Sequence, residues 1–240
     1  MKKILLIAGC LVAGSLGVQA QGVIENMRLA GVVVMHVYSP DLTSPGTEFQ
    51  GNVSLLYASS PTTSRMGDFP TGSQTYTGTP LGGATTGATS PADFANGTLW
   101  DFALYGAGGA NVAAGSLQLC PGSLTTFNGT QASLAGSPLA LATDPTVPGA
   151  AYGGQATIQA RAWYNGGGLY TTYAAAVGAN QLAGASAPIN LTMAAASNFS
   201  DPNLTGLGSF SLVQSVPEPS TIALGVMGAS AFLLRRRMSK

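Results

Sequence analysis

Short segments in which apolar residues recur at every second position constrain the fold of this chain more than any other feature of its sequence. The two clearest segments are 99–104 and 157–164. Weaker segments lie at 32–38, 52–57, 117–119, 189–193 and 210–212. A repeat of two residues is the repeat of an extended strand, in which successive side chains point to opposite faces. The chain also contains 33 glycines and 14 prolines, which disfavour long helices. The sequence therefore predicts about seven short strands joined by turns.

An all-β fold of the β-sandwich type, immunoglobulin-like or jelly-roll in style, is the expected architecture for such strands. Disorder is the competing interpretation, because Gly, Ser, Thr and Pro are abundant between the strands. Trp100, Phe102 and Trp163 favour a folded core within the strand segments. Two Gly/Thr/Pro-rich stretches, 59–95 and 144–154, are long for loops, so we expect mobile excursions on the surface there.

Residues 1–20 have the layout of a secretory signal peptide, which the Sec machinery reads and signal peptidase removes. Two lysines and an apolar stretch precede Val18 and Ala20, which occupy the positions before the cleaved bond. Cleavage there makes Gln21 the first residue of the mature chain. A lipoprotein signal ending at Cys10 is the alternative, although few apolar residues precede that cysteine.

The C-terminus carries a Pro-rich segment, an apolar run and an arginine cluster, in that order. Pro217 and Pro219 fix φ and remove two backbone donors, so the segment between them stays extended, as a protease requires. The run 222–234 covers roughly 20 Å as a helix, and snorkelling arginines extend it toward the roughly 30 Å of a hydrocarbon core. The arginines hold the terminus in the cytoplasm by the positive-inside rule.

The residues assigned to this signal fall into three groups. The sorting motif comprises Val216, Pro217, Glu218, Pro219, Ser220 and Thr221; the membrane helix is represented by Ile222, Leu224, Val226, Phe232, Leu233 and Leu234; the positive stop is Arg235, Arg236 and Arg237.

The order Pro217-Glu218-Pro219, apolar helix and arginine cluster resembles the PEP-CTERM sorting signal. That resemblance implies recognition by exosortase, a membrane-embedded cysteine protease-transpeptidase, in a cell that makes exopolysaccharide. An ordinary C-terminal membrane helix with a Pro-rich leader is the alternative, whereas the L-P-x-T-G motif of a sortase substrate does not occur. Short sequence segments such as 72–76 and 159–163 are similar to segments of secreted PEP-CTERM proteins of Verrucomicrobia-like bacteria. That resemblance implies no enzymatic activity.

Three parts follow: a signal peptide at 1–20, an exported β-sandwich domain at 21–213 and the sorting signal at 214–240. Residues 22–216 contain three arginines, no lysine and eight acidic residues, a net charge of −5. A domain with this net negative charge lacks the positively charged surface that binds nucleic acid. We expect a non-enzymatic protein that is anchored briefly in the inner membrane and then passes to the cell surface or the exopolysaccharide matrix.

Catalytic and metal-binding residues are scarce. His36 is the only histidine, which excludes a multi-histidine metal site, and a partly buried strand residue is the simpler interpretation. Cys120 is the only cysteine after Cys10, so the exported chain has no partner for an intrachain disulfide. Asp93 and Asp101 are the nearest approach to the paired acids of a glycosidase, and nothing marks them as a pair. No cofactor is expected.

Calcium binding by turn carboxylates is a further possibility, although no D-x-D-x-D-G loop occurs. The candidates are Asp41, Asp68, Asp144 and Asp201. Solvated turn carboxylates are the simpler interpretation.

Sugar binding is the alternative function. Trp163 shares a strand face with Gln159 and Arg161, and Tyr164 and Tyr170 follow nearby. If these rings were exposed, they could stack on pyranose faces as in a carbohydrate-binding module. The competing interpretation places Trp163 in the core or beneath a loop.

Asn-x-Ser/Thr triplets also stand out, since six of the ten asparagines begin one. They are Asn52, Asn96, Asn128, Asn190, Asn198 and Asn203. Glycosylation of the exported protein and the turn chemistry of asparagine both account for them.

Overall fold

The computed structural model describes residues 21–24, 35–44, 46–53, 72–84, 92–127, 135–139, 143–195, 202, 204 and 206–214. Within these residues the chain is mostly β-sheet, with one α-helix. The strands are β1 Gln21–Val23, β2 Val37–Tyr38, β3 Gln50–Val53, β4 Trp100–Gly108, β5 Gln118–Leu119, β6 Thr125–Thr126, β7 Thr146–Ala151, β8 Gln155–Tyr164, β9 Leu182–Ala185, β10 Ile189–Thr192, β11 Gly208–Ser211 and β12 Val213–Gln214. The helix is α1 Tyr173–Gly178.

The largest sheet has seven strands, and β4 and β8 form its centre. Along the sheet the order is β12-β9-β8-β4-β5, with β10 also paired to β8 and β6 to β4. The β4–β8 pair is antiparallel, from Trp100 opposite Tyr164 to Gly108 opposite Ala156. Every other strand of the sheet pairs with one of these two, except β12, which pairs with β9.

Side chains of complementary size face each other across this central pair. Phe102 lies opposite Ala162 in the register, and Gly106 lies opposite Ile158. A Cβ added to Gly106 would lie only 2.7 Å from Ile158 Cδ1. Because interiors are close-packed, the small partner in each pair makes room for the large one.

Two smaller sheets pack against one face of the large sheet. The first joins β1 to β7, and the second has the order β2-β11-β3, in which β2 and β11 run parallel. Buried side chains of all three sheets form one hydrophobic core. Examples are Phe102 and Leu104 of β4, Ile158 of β8, Val147 of β7 and Phe210 of β11, all fully buried.

The opposite face of the large sheet is covered by α1. This helix begins after Thr172, whose hydroxyl accepts a hydrogen bond from the Ala175 N–H, as a helix N-cap does. Ala176 of the helix packs with Tyr105 and Trp163 in a second buried cluster. The central strands β4 and β8 are therefore buried on both faces over most of their length.

The β-rich class and several strands agree with the sequence pattern. Residues 100–104 of the segment at 99–104 lie within β4, the segment at 157–164 lies within β8, and the segment at 189–193 contains β10. The loop prediction for 144–154 is wrong. That stretch contains β7, because Val147 and Ala150 gain burial against β4 that outweighs the presence of Pro148 and Gly149. Of the stretch 59–95 the structure describes 72–84 and 92–95, which contain no strand, as expected for a loop. Leu81 is nevertheless fully buried, so this loop does not lie wholly on the surface.

The predicted signal helix at 1–20 and membrane helix from 222 onward lie outside the described residues. No helix within the described ranges is long and apolar enough to cross a membrane.

Candidate functional site

Two of the three aromatic residues assigned to sugar stacking, Trp163 and Tyr164, lie in the core, which corrects the prediction for those two. Trp163 is 1% exposed and Tyr164 is 7% exposed, while Tyr170 is half-buried. The Trp163 Nε1–H donates to the Tyr170 carbonyl at 2.9 Å, and the Trp163 ring meets Tyr173 edge to face at 6.3 Å between centroids. Trp163 and Tyr164 are buried because α1 covers one face of β8 and the main core covers the other. Their rings offer no free face to a pyranose.

Arg161, on the same face of β8, is held between two tyrosines. Its guanidinium carbon lies 4.1 Å from the Tyr105 ring centroid and 5.0 Å from that of Tyr173. Its Nε–H donates to Gln159 Oε1, and its Nη2 donates to the Ala114 carbonyl at 2.6 Å. Cation–π contacts and hydrogen bonds thus engage this side chain within the protein.

The acidic residues considered for catalysis have structural partners. Asp101 accepts a hydrogen bond from Asn165 Nδ2 at 2.9 Å, and burial raises the pKa of this carboxyl. The backbone carbonyl of Asp93 accepts a hydrogen bond from the Trp100 indole N–H at 3.4 Å. Among the described residues, no group of three His, Cys, Asp or Glu side chains is placed to hold a metal ion. The described residues thus contain no such metal cluster.

Asp41, one of the calcium candidates, organises a turn. Its Oδ1 accepts hydrogen bonds from the hydroxyl and backbone N–H of Thr43 and from the Ser44 N–H, and its Oδ2 accepts from the Thr77 N–H. These bonds, the Thr43 hydroxyl first, hold the pKa of Asp41 well below its usual range. Asp144 is exposed, and Asp68 and Asp201 lie outside the described residues.

His36 and Cys120 are both buried. His36 precedes β2, and its backbone N–H donates to Ser209 Oγ at 3.0 Å, while its Nδ1 lies 3.5 Å from the Tyr38 hydroxyl. Cys120 is a free cysteine in the main core, and burial raises the pKa of its thiol to about 12. A thiol with so high a pKa is a poor nucleophile at neutral pH.

Three Asn-x-Ser/Thr asparagines lie in the described ranges, and each serves the fold. Asn96 is 4% exposed and caps a 3-10 turn by accepting from the Thr98 N–H. Asn52 Nδ2 donates to the Gln74 carbonyl, and Asn190 Nδ2 donates to Asn111 Oδ1 at 2.7 Å. These contacts support the turn interpretation at Asn96 and Asn52. Asn128, Asn198 and Asn203 lie outside the described residues.

A small cleft of about 240 Å³ opens where β9 and β12 meet the end of α1. Its lining comprises Ala92, Phe94, Asn180, Gln181, Leu182 and Gln214. Three of these side chains are carboxamides and none is charged. Sequence reasoning missed the cleft because its walls come from three segments far apart in the chain.

Asn180 shapes the floor of this cleft. It follows α1 with φ of 59°, the left-handed conformation in which asparagine is common after a helix. Its backbone carbonyl accepts from Gln214 Nε2 at 3.4 Å, which links the helix end to β12. The Asn180 Oδ1 atom is buried, and no described residue donates a hydrogen bond to it.

β12 is the last described element and lies at one edge of the large sheet. Gln214, its final residue, is opposite Leu182 of β9. The sorting motif 216–221, the membrane anchor 222–234 and the arginines 235–237 follow, outside the described residues. Val18 and Ala20 are also outside them, whereas Gln21 is the first residue of β1.

The comparisons with known proteins bear on this C-terminal segment. Residues 215–237 match the family described as the PEP-CTERM protein-sorting motif. The chain carries a PEP-CTERM sorting motif. No curated protein and no solved structure matches the chain. The PEP-CTERM match contains Pro217, Glu218, Pro219 and the arginine cluster, so the resemblance stated from the sequence is confirmed.

A PEP-CTERM motif marks an exported, membrane-transiting protein that exosortase processes. The motif begins at residue 215, directly after β12. The last described strand therefore ends one residue before the segment that exosortase recognises.

Proposed function

We propose that the mature protein is a non-catalytic component of the cell envelope or of the exopolysaccharide matrix. The PEP-CTERM motif at 215–237 carries this proposal, because it directs an exported cargo to exosortase. In this proposal the cargo is the domain at 21–213, a β-sandwich of immunoglobulin-like or jelly-roll style, whose sheets pack around one core.

The route to that location uses both ends of the chain. The signal peptide at 1–20 takes the chain through the Sec machinery, and signal peptidase cuts between Ala20 and Gln21. The apolar helix 222–234 then holds the precursor in the inner membrane, with the arginines in the cytoplasm. Exosortase cuts close to the Pro-Glu-Pro segment, where two prolines keep the backbone extended. The body passes to the cell surface or matrix.

The chemistry of the described surface supports a structural role. Arg161 is the one described cation, and it is stacked on two tyrosines. Exposed amide and hydroxyl side chains occur on this surface, as at Asn111, Asn190 and Thr192. Such neutral groups hydrogen-bond well to a hydrated polysaccharide.

The test is to follow the protein in its own host after Pro217, Glu218 and Pro219 are all replaced with alanine. We expect the wild type in the polysaccharide layer with a shortened C-terminus, measured by mass spectrometry of the fractionated protein. The variant should remain in the membrane fraction with Lys240 present. Pro188→Ala is the matched control, because Pro188 is exposed in the body and lies outside the motif.

Two results would contradict the proposal. One is a wild-type protein that stays in the cytosol with Met1 and Lys240 intact. The other is a correctly processed protein that is absent from the surface and matrix fractions, which would leave sorting intact and refute the proposed location.

A further inference from the structure

The residues that follow the proposed signal peptidase cut belong to the folded body. β1 starts at Gln21, and its pairing with β7 places the Gln21 backbone opposite Ala151. Ile24 follows β1; it is fully buried in the main core, and its N–H donates to the Pro145 carbonyl at 2.9 Å. A cut C-terminal to Ile24 would remove a core side chain and leave a cavity. The packing therefore favours a cut N-terminal to this segment.

Gly22 is held as closely as Ile24. It is buried against Met193, and a Cβ added to Gly22 would lie 2.9 Å from Met193 Cε. Met193 is itself 2% exposed, so its side chain has little room to move aside. The packed part of the body thus begins at Gly22. A cut between Ala20 and Gln21 leaves Gln21 in front of it as the terminal residue.

A glutamine at an amino terminus carries both reacting groups of a ring closure. An α-amine has an ordinary pKa of about 7.7–8.0, so at neutral pH roughly a tenth of it is the uncharged nucleophile. Its nitrogen attacks the side-chain Cδ of the same residue. A C–N bond forms, the Cδ–Nε2 bond breaks, and one hydrogen of the α-amine goes to the departing nitrogen, which leaves as ammonia. The product is the five-membered lactam pyroglutamate, and its closure needs no second reactant because both groups belong to one residue.

The composition of the exported domain gives this reaction a consequence. Residues 21–216 contain no lysine, and Lys2, Lys3 and Lys240 lie in the two signals that processing removes. The α-amine of Gln21 is then the one primary amine of the mature chain. The arginines do not take its place as nucleophiles, because a guanidinium is not deprotonated in proteins.

We propose that Gln21 cyclises to pyroglutamate and that the exported protein consequently has no primary amine. The inference rests on the export route of the proposed function and names a modification at its first cut. The lactam removes the positive charge of the terminus. It also removes the group that condenses with aldehydes, which the reducing ends of polysaccharide chains supply, to give an imine and water. A protein without an amine is inert toward those ends, as suits a lasting place in the matrix.

The test is amine labelling of the mature protein purified from its host. The protein is treated with a succinimidyl ester in denaturant, so that burial cannot hide an amine, and is then digested with trypsin, which releases the peptide 21–28. Labelling before digestion blocks any amine that is present, so cyclisation during handling cannot imitate the result. Gln21→Asn is the matched control, because it keeps a carboxamide at the terminus, and closure there would need a strained four-membered ring.

We expect the wild-type peptide to lack the label and to be lighter by one ammonia than a peptide that begins with glutamine. Treatment with pyroglutamate aminopeptidase should remove residue 21 and restore labelling, now at Gly22. The Gln21→Asn peptide should have its full mass and carry the label, at a level about tenfold or more above that of the wild type.

Three outcomes would overturn the inference. A labelled peptide that begins at Gln21 refutes cyclisation and leaves the proposed cut standing. A mature chain that begins at another residue refutes both the cut and the modification. A Gln21→Asn variant as unlabelled as the wild type shows that the terminus is blocked by a reaction that does not use the glutamine side chain.

Fractionation judges the matrix role separately. Protein found in the polysaccharide layer with a free Gln21 amine refutes the modification and leaves the matrix role standing. Cyclised protein that is absent from that layer refutes the matrix role alone.

Discussion

Gly108 of β4 and Gly149 of β7 meet backbone to backbone where the small β1–β7 sheet crosses the large one. A Cβ added to Gly108 would lie 2.0 Å from the Gly149 carbonyl oxygen. Real Cβ atoms do not approach oxygen so closely, so only glycine at position 108 permits this crossing. The contact sets how closely the two sheets pack.

Gly108→Ala should therefore destabilise the protein. The added methyl meets backbone, which cannot rotate away, and overpacking of this kind costs about 1–3 kcal/mol or more. The measurement is the free energy of unfolding in urea. Gly115→Ala is the control, since a Cβ there has no neighbour within 4 Å, and its effect should stay within about 0.5 kcal/mol. Equal effects of the two changes would contradict the close crossing.

Trp163→Ala should lower stability, because the ring fills the space between β8 and α1. Loss of a fully buried tryptophan costs about 3–5 kcal/mol. Chemical denaturation followed by circular dichroism measures the change. Leu169→Ala is a useful comparison, since Leu169 is 72% exposed and its removal should be nearly neutral. A Trp163→Ala protein as stable as the wild type would show that this ring is not part of the core.

The Asp41 turn should make stability depend on pH in the acidic range. A pKa held below its unfolded value of about 3.9 contributes stability above that pH, and the contribution is lost as the pH falls toward the folded pKa. Asp41→Asn should thus be less stable than the wild type at neutral pH, with a difference that shrinks below about pH 4. Thr43→Val removes the largest of the bonds to Asp41, so it should weaken the same dependence. Parallel pH profiles for all three proteins would contradict this reading.

The Cys120 thiol should resist alkylation in the folded protein. It is fully buried, and its pKa of about 12 leaves little thiolate at about pH 8. Iodoacetamide labelling followed by intact mass should be slow in buffer and fast in denaturant. At intermediate denaturant concentrations, the rate of labelling should rise in proportion to the unfolded fraction of the protein. Rapid labelling of the native protein would refute the buried position.

The arginine cluster should fix the orientation of the C-terminus. Replacing Arg235, Arg236 and Arg237 with alanine removes the charges that hold this end in the cytoplasm, so a C-terminal tag should become accessible from outside. Protease protection of the tag in spheroplasts measures this. The corresponding triple lysine variant keeps the charge and should behave as the wild type.

The central strands and the sorting motif could be predicted from sequence because each is marked by local residue types. β4 and β8 show period two over long stretches, and the Pro-Glu-Pro segment has a fixed order of neighbours. β7 could not be predicted, because its sequence contains proline and glycine and its burial comes from β4, about 40 residues earlier in the chain. β9 could not be predicted either, because its sequence Leu-Ala-Gly-Ala lacks β-branched residues. Its Gly184 packs closely on the Ser211 backbone, since an added Cβ would lie 2.6 Å from the Ser211 carbonyl oxygen.

The exposure of the aromatic residues and the existence of the cleft also required tertiary structure. Period two shows that Trp163 and Ile158 lie on opposite faces of β8, but it does not show that both faces are buried. The cleft depends on Phe94, Asn180 and Gln214 coming together, and no local pattern encodes that meeting.

The stacking of Arg161 on Tyr105 and Tyr173 also bears on the proposed location of the protein in a polysaccharide matrix. Arg161 is the one positive side chain among the described residues, and it is engaged within the protein, so these residues offer acidic polysaccharides no free cation. If the described residues make the contact, the salt concentration should scarcely change how firmly the protein is retained.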